Sequence, residues 1–205
     1  MKHFIIILSF LATIFSANAQ NGELLSAFEK SYLYEKNQEY TKAVASIAVV
    51  YNKYQTNFET NLRLGWLHYL SGNLKESNIY YDKAIELKPM ALEAIYGNIL
   101  PLLAQGKYSK IEVLANKAIS IAPNDSQAEY YIGLVSYYQK DYLKSERFLE
   151  KAINQYPFDL DLNLMLGWAK FALGKKNEAK VLFQVAQRHS PNSAAVKTAI
   201  DLINK

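Results

Sequence analysis

The chain has 205 residues, 23 Lys and Arg against 19 Asp and Glu, and a net charge of +4. Basic residues are spread singly among acidic ones, which falls short of the basic patch or stripe that nucleic-acid binding requires. There is no Cys, so disulfides, thiolate catalysis and lipoprotein attachment are all excluded.

Residues 1–19 form a class of their own. Met1-Lys2-His3 is a short basic start, Phe4 to Phe15 is an apolar run, and Ala17-Asn18-Ala19 is a small-residue cleavage site. This pattern predicts a secretory signal peptide cleaved after Ala19. The apolar run is shorter than the about 20 residues that span a bilayer comfortably. Cleavage removes one base, Lys2, and no acid, so the charge falls from +4 to +3. The expected location is the periplasm or the extracellular space, with no membrane span left after cleavage.

The rest of the chain repeats. Lys83-Ala84-Ile85 with Pro89 recurs as Lys117-Ala118-Ile119 with Pro123 and as Lys151-Ala152-Ile153 with Pro157, and Ala186 with Pro191 makes a fourth copy. The interval is 34 residues each time. A fixed period of this size is the mark of stacked supersecondary units. It divides the chain into 24–57, 58–91, 92–125, 126–159 and 160–193. The seventh and eighth places read Leu64-Gly65, Ile132-Gly133 and Leu166-Gly167, and the twentieth and twenty-fourth include Ser77/Tyr81, Ser145/Leu149 and Ala179/Phe183.

Each unit reads as two helices of roughly 14 residues joined by a turn. Gly72, Gly106 and Gly174 mark three turns, where left-handed backbone ends a helix. Gly65, Gly133 and Gly167 lie inside first helices, where a missing side chain lets the second helix come close. Asp125, Asp159 and Ser193 are expected N-caps. Pro101 lies inside a first helix and predicts a bend one turn after Gly97. Residues 194–205 predict one more amphipathic helix, a terminal cap with Lys197, Asp201 and Asn204 outward.

These residues resemble the tetratricopeptide repeat family over nearly all of the chain after residue 19. Two places depart from its pattern. The family's Trp at the fourth place is replaced by Ala27, Asn61, Ile95, Glu129 and Asn163, and its Tyr at the eleventh survives only as Tyr34. The first unit also lacks the Ala and the Pro, having Val50 and Gln55. The resemblance implies an all-α fold, an α-solenoid wound as a right-handed superhelix, with five helical hairpins and a C-terminal capping helix.

The resemblance also implies a concave face lined by first helices, with the fifth, ninth and twelfth places pointing into it. Those places carry a largely apolar and aromatic stripe. The residues expected to bind a partner are Tyr32, Trp66, Tyr69, Tyr96, Tyr130, Tyr137, Trp168 and Phe171. Rings at such places either pack as core between neighbouring helices or stay open as a groove.

Catalytic constellations are missing. Beyond residue 19 the only His residues are His68 and His189, and the eight Gly are scattered singly. No metal or cofactor is expected, and no enzymatic activity. The expected function is an envelope scaffold that holds a peptide or helix of a protein partner. The alternatives are glycan binding through sugar stacking on Trp66 and Trp168, or a silent subunit of an enzyme complex. A clamp for acidic C-terminal tails is disfavoured, because Phe28, Tyr32 and Trp66 stand where such a clamp carries cationic and amide side chains.

Overall fold

The structure is a computed structural model that describes residues 22–204. The predicted signal peptide lies outside the described residues. Those residues are helical throughout, without a strand. Helix α1 covers 22–36. It is followed by α2 (Tyr40–Ala48), α3 (Tyr51–Tyr54), α4 (Phe58–Leu70), α5 (Leu74–Leu87), α6 (Leu92–Ala104) and α7 (Tyr108–Ile121). Then come α8 (Ser126–Tyr138), α9 (Tyr142–Gln155), α10 (Leu160–Ala172), α11 (Lys176–His189) and α12 (Ala194–Ile203). Among the described residues no helix is long and apolar enough to cross a membrane.

Contacts divide the chain into two compact units, with the division at Pro101–Leu102 inside α6. In unit 1, α4 packs on α2 and α5. One of its cores gathers Ala43, Ile47, Val50, Leu64 and Leu67, and another joins Phe58, Ala84 and Ala94. In unit 2 every helix from α7 to α12 packs on the next. There Leu149, Ala152 and Leu166 form one core, and Phe183, Ala186, Val196 and Ala199 another.

Small residues set how close the helices come. A Cβ on Gly133 would stand 2.5 Å from the Leu149 side chain, and one on Gly167 2.4 Å from the Phe183 ring. In unit 1 the Tyr81 ring occupies the space over two glycines at once. A Cβ on Gly65 would meet it at 2.8 Å, and one on Gly97 at 2.3 Å. Gly97 therefore makes room for a neighbouring helix. Helix α6 is helical through Pro101 to Ala104. Ala84, Ala118, Ala152 and Ala186 are fully buried.

The fifteenth place of every repeat turns through left-handed backbone. Gly72, Gly106 and Gly174 supply it without strain, while Gln38 and Lys140 adopt it as non-glycine residues, with φ of 60° and 65°. Asp125 and Asp159 cap α8 and α10 by accepting from the N–H of Ala128 and Leu162, and Asn57 does the same for α4. Ser193 holds the N-cap position of α12, but its hydroxyl makes no capping bond.

The fourth place has acquired its own chemistry. Asn61 is buried and donates to the carbonyls of Gln55 and Asn57, at 2.9 and 2.7 Å. Asn163 repeats this with Pro157 and Asp159, at 3.0 and 2.7 Å. In these two repeats an amide ties the first helix to the preceding linker, where the family pattern places an indole. The first repeat departs further. Its second helix breaks between α2 and α3 at Val50, the β-branched residue standing where the other repeats have Ala.

Candidate functional site

In unit 1, α1 and α4 present a face built around one buried cation. Arg63 is only 6% exposed, and its guanidinium lies 3.8 Å from the centre of the Tyr32 ring. A buried guanidinium requires a counter-charge. Glu35 supplies it, with Oε2 at 2.5 Å from Arg63 Nη1. The other carboxylate oxygen of Glu35 accepts from Trp66 Nε1 at 2.7 Å. Arg63 Nε donates to Ser31 Oγ at 2.9 Å, and the Ser31 hydroxyl donates to the Phe28 carbonyl. Arg63 Nη2 is buried without a partner.

This network orients the rings. Tyr32 is 56% exposed, Trp66 and Tyr69 are half-buried, and the Trp66 and Tyr69 rings lie 5.8 Å apart. Tyr32, Glu35, Tyr40, Arg63, Trp66 and Leu70 line a cleft between α1 and α4. Tyr96, on α6, is half-buried.

In unit 2 the expected residues fall on two cores. Tyr130 and Tyr137 of α8 pack against the Leu149–Ala152–Leu166 core, both half-buried. Burial pushes the Tyr130 hydroxyl well above its ordinary range, and the nearby Asp161 carboxyl adds to this. Trp168 and Phe171 of α10 pack over the Phe183 core. The indole lies 4.9 Å from the Phe183 ring and 6.2 Å from that of Phe171. Neither indole is sealed, since both Trp66 and Trp168 keep an intermediate exposure.

Two charged residues that matter to these faces escaped sequence reasoning. Arg63 stands at the sixth place, one short of the seventh-place core. Its signal was an Arg within an otherwise apolar stretch of α4. Lys170 stands at the eleventh place of its repeat, where the family carries Tyr. It is buried and its Nζ donates to Glu146, Glu150 and Glu178 at 2.8, 2.8 and 2.6 Å. Burial alone would lower its pKa, but the three carboxylates outweigh that and hold it well above the ordinary lysine range. All three ammonium protons are engaged, so Lys170 is a structural cation. Among the described residues no group of three His, Asp or Glu side chains is placed to hold a metal ion.

Tetratricopeptide repeat family models match residues 58–89, 127–159 and 161–193. This is a tetratricopeptide repeat protein. Solved structures share its fold. The crystal structure of MamA protein superposes with a TM-score of 0.73 at 20% identity, over 85% of this chain and 95% of that one. A tetratricopeptide repeat protein from Parabacteroides merdae gives 0.78 at 17% identity, over 89% and 72%. YrrB, described as a TPR protein with an unusual peptide-binding site, gives 0.62 at 18%, over 77% and 81%. No curated protein matches the chain in sequence. The fold is therefore an all-α solenoid of helical hairpins with a helix after the last. Tetratricopeptide repeat proteins bind protein partners and are in general non-catalytic, and this chain has the fold of such an interaction scaffold.

Proposed function

We propose that this tetratricopeptide repeat protein is a non-catalytic interaction module of the cell envelope. It is exported by residues 1–19 and holds a peptide or helical segment of a protein partner against the exposed rings of its first helices. The observation that carries this reading is the cleft of unit 1. Tyr32 is a large ring left 56% exposed, yet the Arg63 guanidinium lies 3.8 Å from its centre and is itself fixed by Glu35, which also accepts from Trp66. A ring that is both ordered and open adds contact area at little entropic cost. The peptide-binding site ascribed to YrrB, which shares the fold, is consistent with it.

The test is site-specific photo-crosslinking in the cell that makes the protein. A benzophenone side chain at Tyr32 or Tyr69 is expected to trap one defined protein. The same probe at Val49, which is 83% exposed on α2's C-cap and does not line that cleft, is expected to trap none of it. Equal trapping from all three positions, or none from Tyr32 and Tyr69, would remove the reading. Intact mass of the protein recovered from the envelope fraction should correspond to a chain beginning at Gln20. Recovery with residues 1–19 still attached would refute the export step.

A further inference from the structure

A second cavity, of about 350 Å³, lies entirely within unit 2. Three helices build it. The start of α8 contributes Tyr130 and Tyr131, the C-cap of α9 contributes Tyr156, and the start of α10 contributes Asp159 and Asp161. Its walls are aromatic and its charge is acidic, and neither Lys nor Arg lines it. The volume falls at the small end of the about 300–1,000 Å³ typical of ligand pockets, which suits one inserted side chain better than a large ligand.

Most of these residues have a structural reason to be there. Tyr130 packs on the α9–α10 core, and its ring meets that of Tyr131 edge-on at 5.5 Å. Asp159 caps α10 through Leu162 N–H at 2.9 Å. Asp161 and Tyr156 have none of these. Asp161 forms no ion pair among the described residues, and Tyr156 is 58% exposed with no ring packed against it. An acidic residue in the first turn suits the helix dipole, but that does not explain a carboxylate set beside a second one in an aromatic cavity. Partial desolvation, and then Asp159, push the Asp161 carboxyl above its ordinary range, while the residue as a whole stays open to solvent and so to a partner. His189 of α11 pulls the other way without lining the cavity.

Unit 1 shows what such a setting takes up. There a tyrosine ring and a carboxylate, Tyr32 and Glu35, enclose a guanidinium at 3.8 and 2.5 Å, and that guanidinium belongs to the chain's own Arg63. The unit 2 cavity has the rings and the carboxylates but no arginine of its own. A planar guanidinium both stacks on a tyrosine face and pairs with a carboxylate, which an ammonium does less well.

We propose that the unit 2 cavity receives the guanidinium of an arginine in the partner's segment, stacked on the tyrosine wall and paired with Asp161. The proposal rests on the reading that the protein binds a polypeptide, and it adds a sequence requirement to that polypeptide.

The experiment uses small probes and the isotope-labelled protein from Gln20 to Lys205. N-acetyl-arginine-methylamide is titrated against the amide resonances of residues 126–131 and 156–162, beside the neutral citrulline analogue. The arginine probe should give saturable shifts at both segments, and the citrulline probe at least about tenfold weaker binding. Asp161→Asn should lose that preference, and Tyr156→Ala should weaken the arginine probe while both variants keep the parent's melting temperature. Equal binding of the two probes, an unchanged preference in Asp161→Asn, or no saturable shift would overturn the proposal. A silent cavity in a protein that still crosslinks through Tyr32 would dismiss the arginine site alone. A responsive cavity in a protein that traps nothing would leave the site standing without the partner.

Discussion

Tyr81 fills the space over Gly65 and Gly97, so its ring cannot retreat from one without pressing on the other. Gly97→Ala is expected to destabilise the protein by about 1–3 kcal/mol through overpacking. In a chain of this size each kcal/mol lowers Tm by about 2–4 °C, so calorimetry would show the change. An unchanged Tm would mean the hairpin seam tolerates a methyl group. Glu129, at the fourth place, is the opposite case. It is 3% exposed and its Oε2 has no partner. Burial holds its carboxyl above the ordinary range, Lys151 opposes this, and Asp125 adds to it. An acid whose pKa rises on folding stabilises the native state below its unfolded pKa, and that contribution is lost as pH rises through the folded value. Glu129→Gln should therefore be more stable than the parent at about pH 7 and gain less at about pH 4, where the unfolded carboxyl is itself half protonated. Urea unfolding at the two pH values reads the difference. An equal gain at both would show that ionisation is not what the substitution relieves.

Helices α9, α10 and α11 are held together by a charge network. Lys170 projects from α10 and meets Glu146 and Glu150 of α9 and Glu178 of α11. Lys175 adds a second bond to Glu146 at 2.7 Å. Removing one partner of a buried ion pair costs about 3–5 kcal/mol, because the remaining charge stays buried. Lys175 still faces Glu146 in Lys170→Met, so the expected loss is at the lower end, about 3 kcal/mol, in denaturant unfolding. The pH response carries a sign as well. Burial alone would raise the Glu146 pKa, but the bonds from Lys170 and Lys175 outweigh it and hold the carboxyl below its usual range. A depressed acid pKa contributes stability above the unfolded pKa, and acid removes it as pH falls through the folded value. Lys170→Met should therefore lose less stability on acidification than the parent does. A steeper acid loss in the variant would contradict the network.

At the scale of the molecule, each hairpin buries its apolar side only against its neighbours, so the last one needs cover. Helix α12 provides it, with Val196 and Ala199 buried against Phe183 and Ala186 and with Lys197 and Asp201 exposed. Ending the chain at Ser193 should uncover that core. The expected result is a lower Tm and binding of a hydrophobic dye that the full chain does not bind. A truncated protein with the parent's Tm and no dye binding would show that the core closes without α12.

The 34-residue spacing of Gly, Ala and Pro was enough to read the hairpins, because those residues act locally: one turns the backbone, one lets helices touch, one stops a helix. Aromatic residues at the fifth, ninth and twelfth places could be assigned to one helical face for the same reason. Tertiary structure alone decided the rest. Long charged side chains reach partners far away in sequence, as Arg63 reaches Glu35 and Lys170 reaches Glu146. The unit 2 cavity draws on three helices at once. Which rings stay open, and which carboxylates lack a counter-charge, depends on how helices remote in sequence pack, and no periodicity encodes that.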